Sequence, residues 1–182
     1  MNRRGVRTRA GLRALAWGRI AWGSMAWFGV IGCHAEAPSR TFRAGDLTVH
    51  HVVAPAPIAV GEERDRSMSV YFTVVNAGAT VDSLVRVETS AAGMAMLHET
   101  TTSADVSHMS MIDAVEVPAH GQLRLAPGRM HLMLEGLSQH IVVGDSLQLT
   151  LVFRRAGRLA VSAPIVAYSA LDSLLDSARA TR

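Results

Sequence analysis

The chain has no lysine; all eighteen of its basic residues are arginine. It has one cysteine, Cys33, and aromatic residues make up only 5% of it. A lone thiol cannot close an internal disulfide. The absence of any cysteine after residue 33 also excludes a blue-copper electron-transfer centre, which needs a thiolate beside its imidazoles. Six arginines (Arg3, Arg4, Arg7, Arg9, Arg13 and Arg19) fall in the first 32 residues, which carry no acid. Beyond them twelve arginines face fifteen acids, a net charge of −3. The body is therefore mildly acidic and lacks the basic footprint of a nucleic-acid binder. No His-Glu-x-x-His, Gly-rich phosphate loop or nucleophile–base pattern is present, so the sequence is not read as an enzyme. With 49% apolar and 18% charged residues over 182 positions, there is enough apolar material for one domain with extras at its ends.

The amino-terminal segment reads as a targeting signal. Arg-rich residues 1–19 precede a 13-residue uncharged run, Ile20 to Gly32. That is short of the roughly 20 apolar residues a spanning helix needs. A basic segment followed by a short apolar stretch is the pattern of a signal peptide. The run ends in Val30-Ile31-Gly32-Cys33, which resembles the bacterial lipobox. Cys33 is therefore expected to be lipidated and to hold the protein extracytoplasmically at a membrane, each buried methylene adding about 0.8 kcal/mol. An uncleaved anchor or plain secretion are the alternatives. The expected organisation is a lipoprotein signal peptide over 1–32, a flexible tether over 33–45, a β-sandwich domain over 46–168 and a C-terminal tail over 169–182.

From Asp46 onward, short β-prone runs alternate with turn residues. The runs are 47–53, 67–75, 83–89, 94–100, 106–112, 114–117, 122–125, 130–134, 146–153 and 158–162. Several alternate in polarity with period two, as half-buried strands do. Leu147, Leu149 and Leu151 share one face, while Ser146, Gln148 and Thr150 share the other. Many short strands at close spacing predict an all-β sandwich or barrel. Near the end, Leu171, Leu174 and Leu175 fit helical spacing, either as a docking helix or as a frayed end.

The stretch from Met94 to Met133 holds six of the nine methionines and four of the eight histidines. On a strand, His131 and Met133 point to the same side, and Leu132 points to the other. Metal–imidazole and metal–sulfur bonds of roughly 2 and 2.3 Å let both side chains reach one ion. Imidazole with thioether selects copper, above all copper(I). Outside the cytoplasm a thioether has a further merit, because thiolates there oxidise to disulfides. Met94, Met96 and His98 share a face, which makes Met96 a possible auxiliary ligand. Met111 shares a face with Met109. Met96 and Met111 are expected to serve in packing or beside the ligands rather than as ligands. His108 and Met130 should point away from the ligands next to them. The neighbours His50 and His51 should face opposite sides of their strand and play a surface role. His34, His120 and His140 are expected to be solvated, as are the acids Glu62, Glu63 and Asp65.

The long-range spacing is more specific. His98 is followed by ten residues and Met109, then by twenty-one residues and His131-Leu132-Met133. Leu97-His98-Glu99, Val117-Pro118-Ala119, Leu125-Ala126-Pro127-Gly128 and Gly144-Asp145 flank this pattern. In these features the chain resembles the periplasmic copper chaperone family called PCuAC, over roughly Asp46 to Ala167. The resemblance implies a cupredoxin-like Greek-key β-sandwich or barrel, with His98, Met109, His131 and Met133 as Cu(I) ligands. It also implies delivery of copper to an acceptor, a cytochrome c oxidase subunit or its assembly factor. A lipid-anchored assembly protein, or a copper storage or tolerance protein without a delivery role, is the alternative. Some members of that family bind a second copper in a His/Met-rich tail; residues 169–182 contain neither residue type.

Overall fold

Apolar residues at alternate positions turn one face of most strands inward, and this alternation builds the body of the protein. A computed structural model describes residues 40–57, 67–103, 106–138 and 140–180. The expected signal peptide, Cys33, His34, Glu62, Glu63 and Asp65 lie outside the described residues. Eleven strands are described: β1 (Phe42–Ala44), β2 (Leu47–Pro55), β3 (Ser67–Asn76), β4 (Asp82–Glu88), β5 (Ala92–Ser103), β6 (Val106–Ile112), β7 (Val115–Val117), β8 (Gln122–Leu125), β9 (Met130–Leu137), β10 (Ser146–Phe153) and β11 (Gly157–Val166). One helix, α1 (Tyr168–Ala180), follows them.

The strands hydrogen-bond in the order β6-β5-β9-β3-β2-β11-β10-β4-β7, with β1 added to β2 and β8 to β3. Among the described strands, only the β11–β2 pair is parallel. Strand β3 is the branch point: Ser67 to Val70 pair with β9, whereas Phe72 to Val75 pair with β8. The inner faces enclose one core drawn from β2 to β5 and β7 to β11, including Val49, Phe72, Leu84, Leu97, Leu132, Leu134 and Leu151. Each such side chain contributes about 1.5–3 kcal/mol by leaving water. The expected alternation in β10 is present, with Leu147, Leu149 and Leu151 buried and Ser146 and Gln148 exposed.

Two buried polar side chains fasten the loops. The carboxylate of Asp82 accepts from the backbone N–H groups of Ser83 (2.7 Å), Arg155 (2.9 Å) and Ala156 (2.9 Å), tying the β10–β11 turn to β4. Asn76 donates to the carbonyls of Thr80 and Val117 and accepts from Gly78 N–H, which closes the turn after β3.

Three expectations are corrected. Residues 42–44, assigned to the flexible tether, form β1 and pair with β2. Residues 169–182, separated as a tail, begin within α1, where Leu171 and Leu175 pack on Val53 and Tyr71. This settles the described part of the segment as a docking helix, and Arg124 donates to its Leu175 carbonyl at 3.1 Å. Finally, His50 and His51 do not point to opposite sides. The β2–β3 register shifts between His50 and Val53, and His51 adopts φ = 54°. A bulge breaks strand alternation, and here it brings the two imidazoles together, Nδ1 to Nδ1 at 2.6 Å. Burial holds both rings below their ordinary pKa of 6.5, with the Arg124 guanidinium adding to the effect at His51.

Candidate metal centre

Directly opposed residues of antiparallel strands carry their side chains on the same face, with Cβ atoms about 4.5–5.5 Å apart. The register of β6, β5 and β9 therefore defines the site row by row. His98 on β5 lies opposite His131 on β9 and opposite Met111 on β6. One row along, Met96 lies opposite Met133. One row the other way, Met109 lies opposite Thr100. The four residues expected as ligands, His98, Met109, His131 and Met133, thus share the outer face of one three-stranded segment. Leu97, Leu132 and Leu134 alternate with them and hold the segment to the core. His108 opposes Thr101 and Met130 opposes Glu99, which places both on the other face from the ligands beside them.

The two imidazoles meet edge to face, with ring centroids 5.7 Å apart and planes at 84°. His131 is only 6% exposed. Its Nδ1 lies 3.1 Å from the Arg129 carbonyl oxygen. A carbonyl only accepts, so Nδ1 carries the proton and donates, leaving Nε2 of the neutral ring with its lone pair. A backbone carbonyl on the far ring nitrogen is a common way of orienting a metal-binding histidine. His98 presents the complementary feature. Its Nδ1 is buried and, among the described residues, has no hydrogen-bond partner. Such a group costs about 1–3 kcal/mol in desolvation unless something satisfies it.

Methionines crowd the same outer face. Met94, Met109 and Met111 are 56%, 55% and 63% exposed. Met111 was expected to pack or assist from the side; its exposure rules out core packing, and it sits closer in register to His98 than Met109 does. The sequence spacing could not show this, because distance along the chain does not state which residues of two strands face each other. Among the described residues no three His, Cys, Asp or Glu side chains cluster as a metal site. The side chains gathered here offer two imidazoles and several soft sulfurs, a set suited to copper(I) rather than to zinc or a hard cation. His120 and His140 are exposed outside the strands.

Comparison with known proteins identifies the family and the fold. Residues 47–165 match the family described as "Putative lipoprotein LpqE-like". "Putative lipoprotein Lxx21020" of Leifsonia xyli subsp. xyli (strain CTCB07) is 33% identical over 97 residues, 53% of this chain and 58% of that protein. The match thus spans less than two thirds of that relative's length. Among solved structures, the copper-bound PCuAC domain from PmoF2 is 25% identical with a TM-score of 0.59, covering 70% of this chain and 98% of that domain. The apo PCuAC domain from PmoF1 is 31% identical with a TM-score of 0.59, covering 70% of this chain and 99% of that domain. CuI-DR1885 from Deinococcus radiodurans is 25% identical with a TM-score of 0.53, covering 74% of this chain and 84% of that protein. The expected all-β, cupredoxin-like fold is that of these domains.

Proposed function

Because the chain belongs to the LpqE-like lipoprotein family and has the fold of PCuAC domains, we propose that it is an extracytoplasmic copper(I) chaperone. In this reading His98, Met109, His131 and Met133 hold the ion. The observation that carries it is the pairing of two imidazoles in register, one oriented by a carbonyl and one with an unsatisfied Nδ1, beneath exposed thioethers. The copper-bound relatives support the choice of metal.

Chemistry supports a carrier better than a permanent copper centre. Neutral thioethers and imidazoles bind copper(I) without a proton having to leave a thiol. Exposed methionines at the rim give an acceptor's donors a way in, one ligand at a time. Soft sulfur favours copper(I) over copper(II), which disfavours redox turnover and a catalytic role. A lipid on Cys33 would keep the domain at the membrane surface, facing membrane-bound acceptors. The acceptor in this reading is the copper centre of cytochrome c oxidase or a factor that assembles it.

Anaerobic titration against a competing chelator tests the site. One tightly bound copper(I) per chain is expected, and none in the His131→Ala, Met133→Ala double variant. Equal binding by the two proteins would refute the ligand assignment. Deletion of the gene should lower cytochrome c oxidase activity in a way that added copper restores. A deletion strain with normal oxidase but heightened copper sensitivity would instead point to storage or tolerance.

A further inference from the structure

The outer face of β5 carries more sulfur than one copper site needs. Met94 and Met96 lie two residues apart on the face that bears His98, and Met96 is directly opposite Met133. Neither belongs to the core or packs against it, and Met94 is 56% exposed. Hydrophobic burial thus gives no reason for methionine at position 94. Opposite Met94 lies Glu135, half-buried on the same face.

We propose that Met94 and Met96, together with Met133, form a second, thioether-only position for a soft monovalent d10 ion, copper(I) or silver(I), beside the histidine pair. The proposal rests on the reading of His98, His131 and Met133 as copper ligands. Cβ atoms opposite each other are about 4.5–5.5 Å apart and diagonal ones about 7–8 Å. Three methionine arms at those spacings can close on one ion through metal–sulfur bonds of roughly 2.3 Å. The Glu135 carboxylate adds a favourable negative charge for a cation. Thioethers have little affinity for magnesium, calcium or zinc, so the position selects for soft ions.

Met133 is the shared corner of the two positions. An ion leaving the histidine pair keeps its bond to Met133, releases the Met109 thioether, exchanges each copper–imidazole bond for a copper–thioether bond to Met96 or Met94, and arrives one row further along the sheet. The ligand exchange itself moves no proton, because a coordinated imidazole leaves with its lone pair and a thioether carries no proton, and the oxidation state is unchanged. The second position is therefore an exit for cargo at the Met94 end of the site.

The test is a titration of the full-length chain, labelled at its methionine methyl groups and histidine rings, with silver(I) as a redox-inert stand-in. The His98, His131 and Met133 signals should move with the first equivalent, and those of Met94 and Met96 with the second. The Met94→Leu, Met96→Leu variant changes half-exposed surface and should fold normally. It should bind the first equivalent with an affinity within about twofold of the parent's and lose the second. Met94 and Met96 signals that stay fixed through two equivalents would overturn the second position while leaving the histidine site intact. Imidazole signals that stay fixed while Met94 and Met96 respond would overturn the histidine reading and leave the thioether position standing.

Discussion

Replacing His98 with phenylalanine should reverse its effect on stability according to whether copper is present. Nδ1 of His98 is buried without a partner among the described residues. An unmet buried polar group costs about 1–3 kcal/mol. Phenylalanine removes that nitrogen yet keeps a ring against His131, whose edge-to-face contact lies at 5.7 Å. The metal-free variant should therefore be more stable than the parent by about 1–3 kcal/mol. For a protein of this size each kilocalorie moves the melting midpoint by about 2–4 °C. Copper(I) at a hundred times its dissociation constant should stabilise the parent by about 2.7 kcal/mol and the variant by almost nothing. Thermal unfolding followed by circular dichroism, with and without anaerobic copper(I), reads both effects. A metal-free His98→Phe protein less stable than the parent by more than about 1 kcal/mol would refute the idea that this nitrogen is held in readiness for a metal.

Other perturbations test the frame around the site. Asp82→Ala leaves three backbone donors without their carboxylate and should cost about 2–4 kcal/mol in urea unfolding; a loss below about 0.5 kcal/mol would show that water replaces it freely. Leu171→Ala removes a side chain that is 2% exposed under α1 and should cost about 2 kcal/mol, with copper(I) affinity unchanged, since α1 packs on β2 and β3 rather than on the ligands. The His50–His51 pair sets a pH dependence. Both rings titrate below 6.5 when folded, so the unfolded chain takes up protons first as pH falls through about 6.5. Stability should therefore drop between pH 7.5 and 5.5, and His50→Gln with His51→Asn should flatten that drop; identical slopes would contradict it.

Much of this was legible in the sequence because alternation and long-range spacing survive in one dimension. The runs 106–112, 122–125 and 146–153 coincide with β6, β8 and β10. Strand parity placed His131 and Met133 on one face and Leu132 in the core. Cross-strand register was not legible. Nothing in the spacing indicates that Met111 rather than Met109 sits opposite His98, because distance along the chain does not state which residues of two strands face each other. The histidine pair was misread because a left-handed residue at position 51 breaks the parity on which the reading depended. Strand β1 is three residues long and exists only by pairing with β2, so no local pattern announces it. The exposure of Met94, Met109 and Met111 is a tertiary fact, since in sequence an exposed methionine looks the same as one that fills a core.

X-ray absorption of the copper(I)-loaded protein tests the central claim most directly. The account predicts a shell of mixed donors, imidazole nitrogen near 2.0 Å and thioether sulfur near 2.3 Å, that loses sulfur in Met133→Leu and imidazole in His131→Ala. A shell of nitrogen and oxygen alone, or one that neither substitution alters, would contradict it.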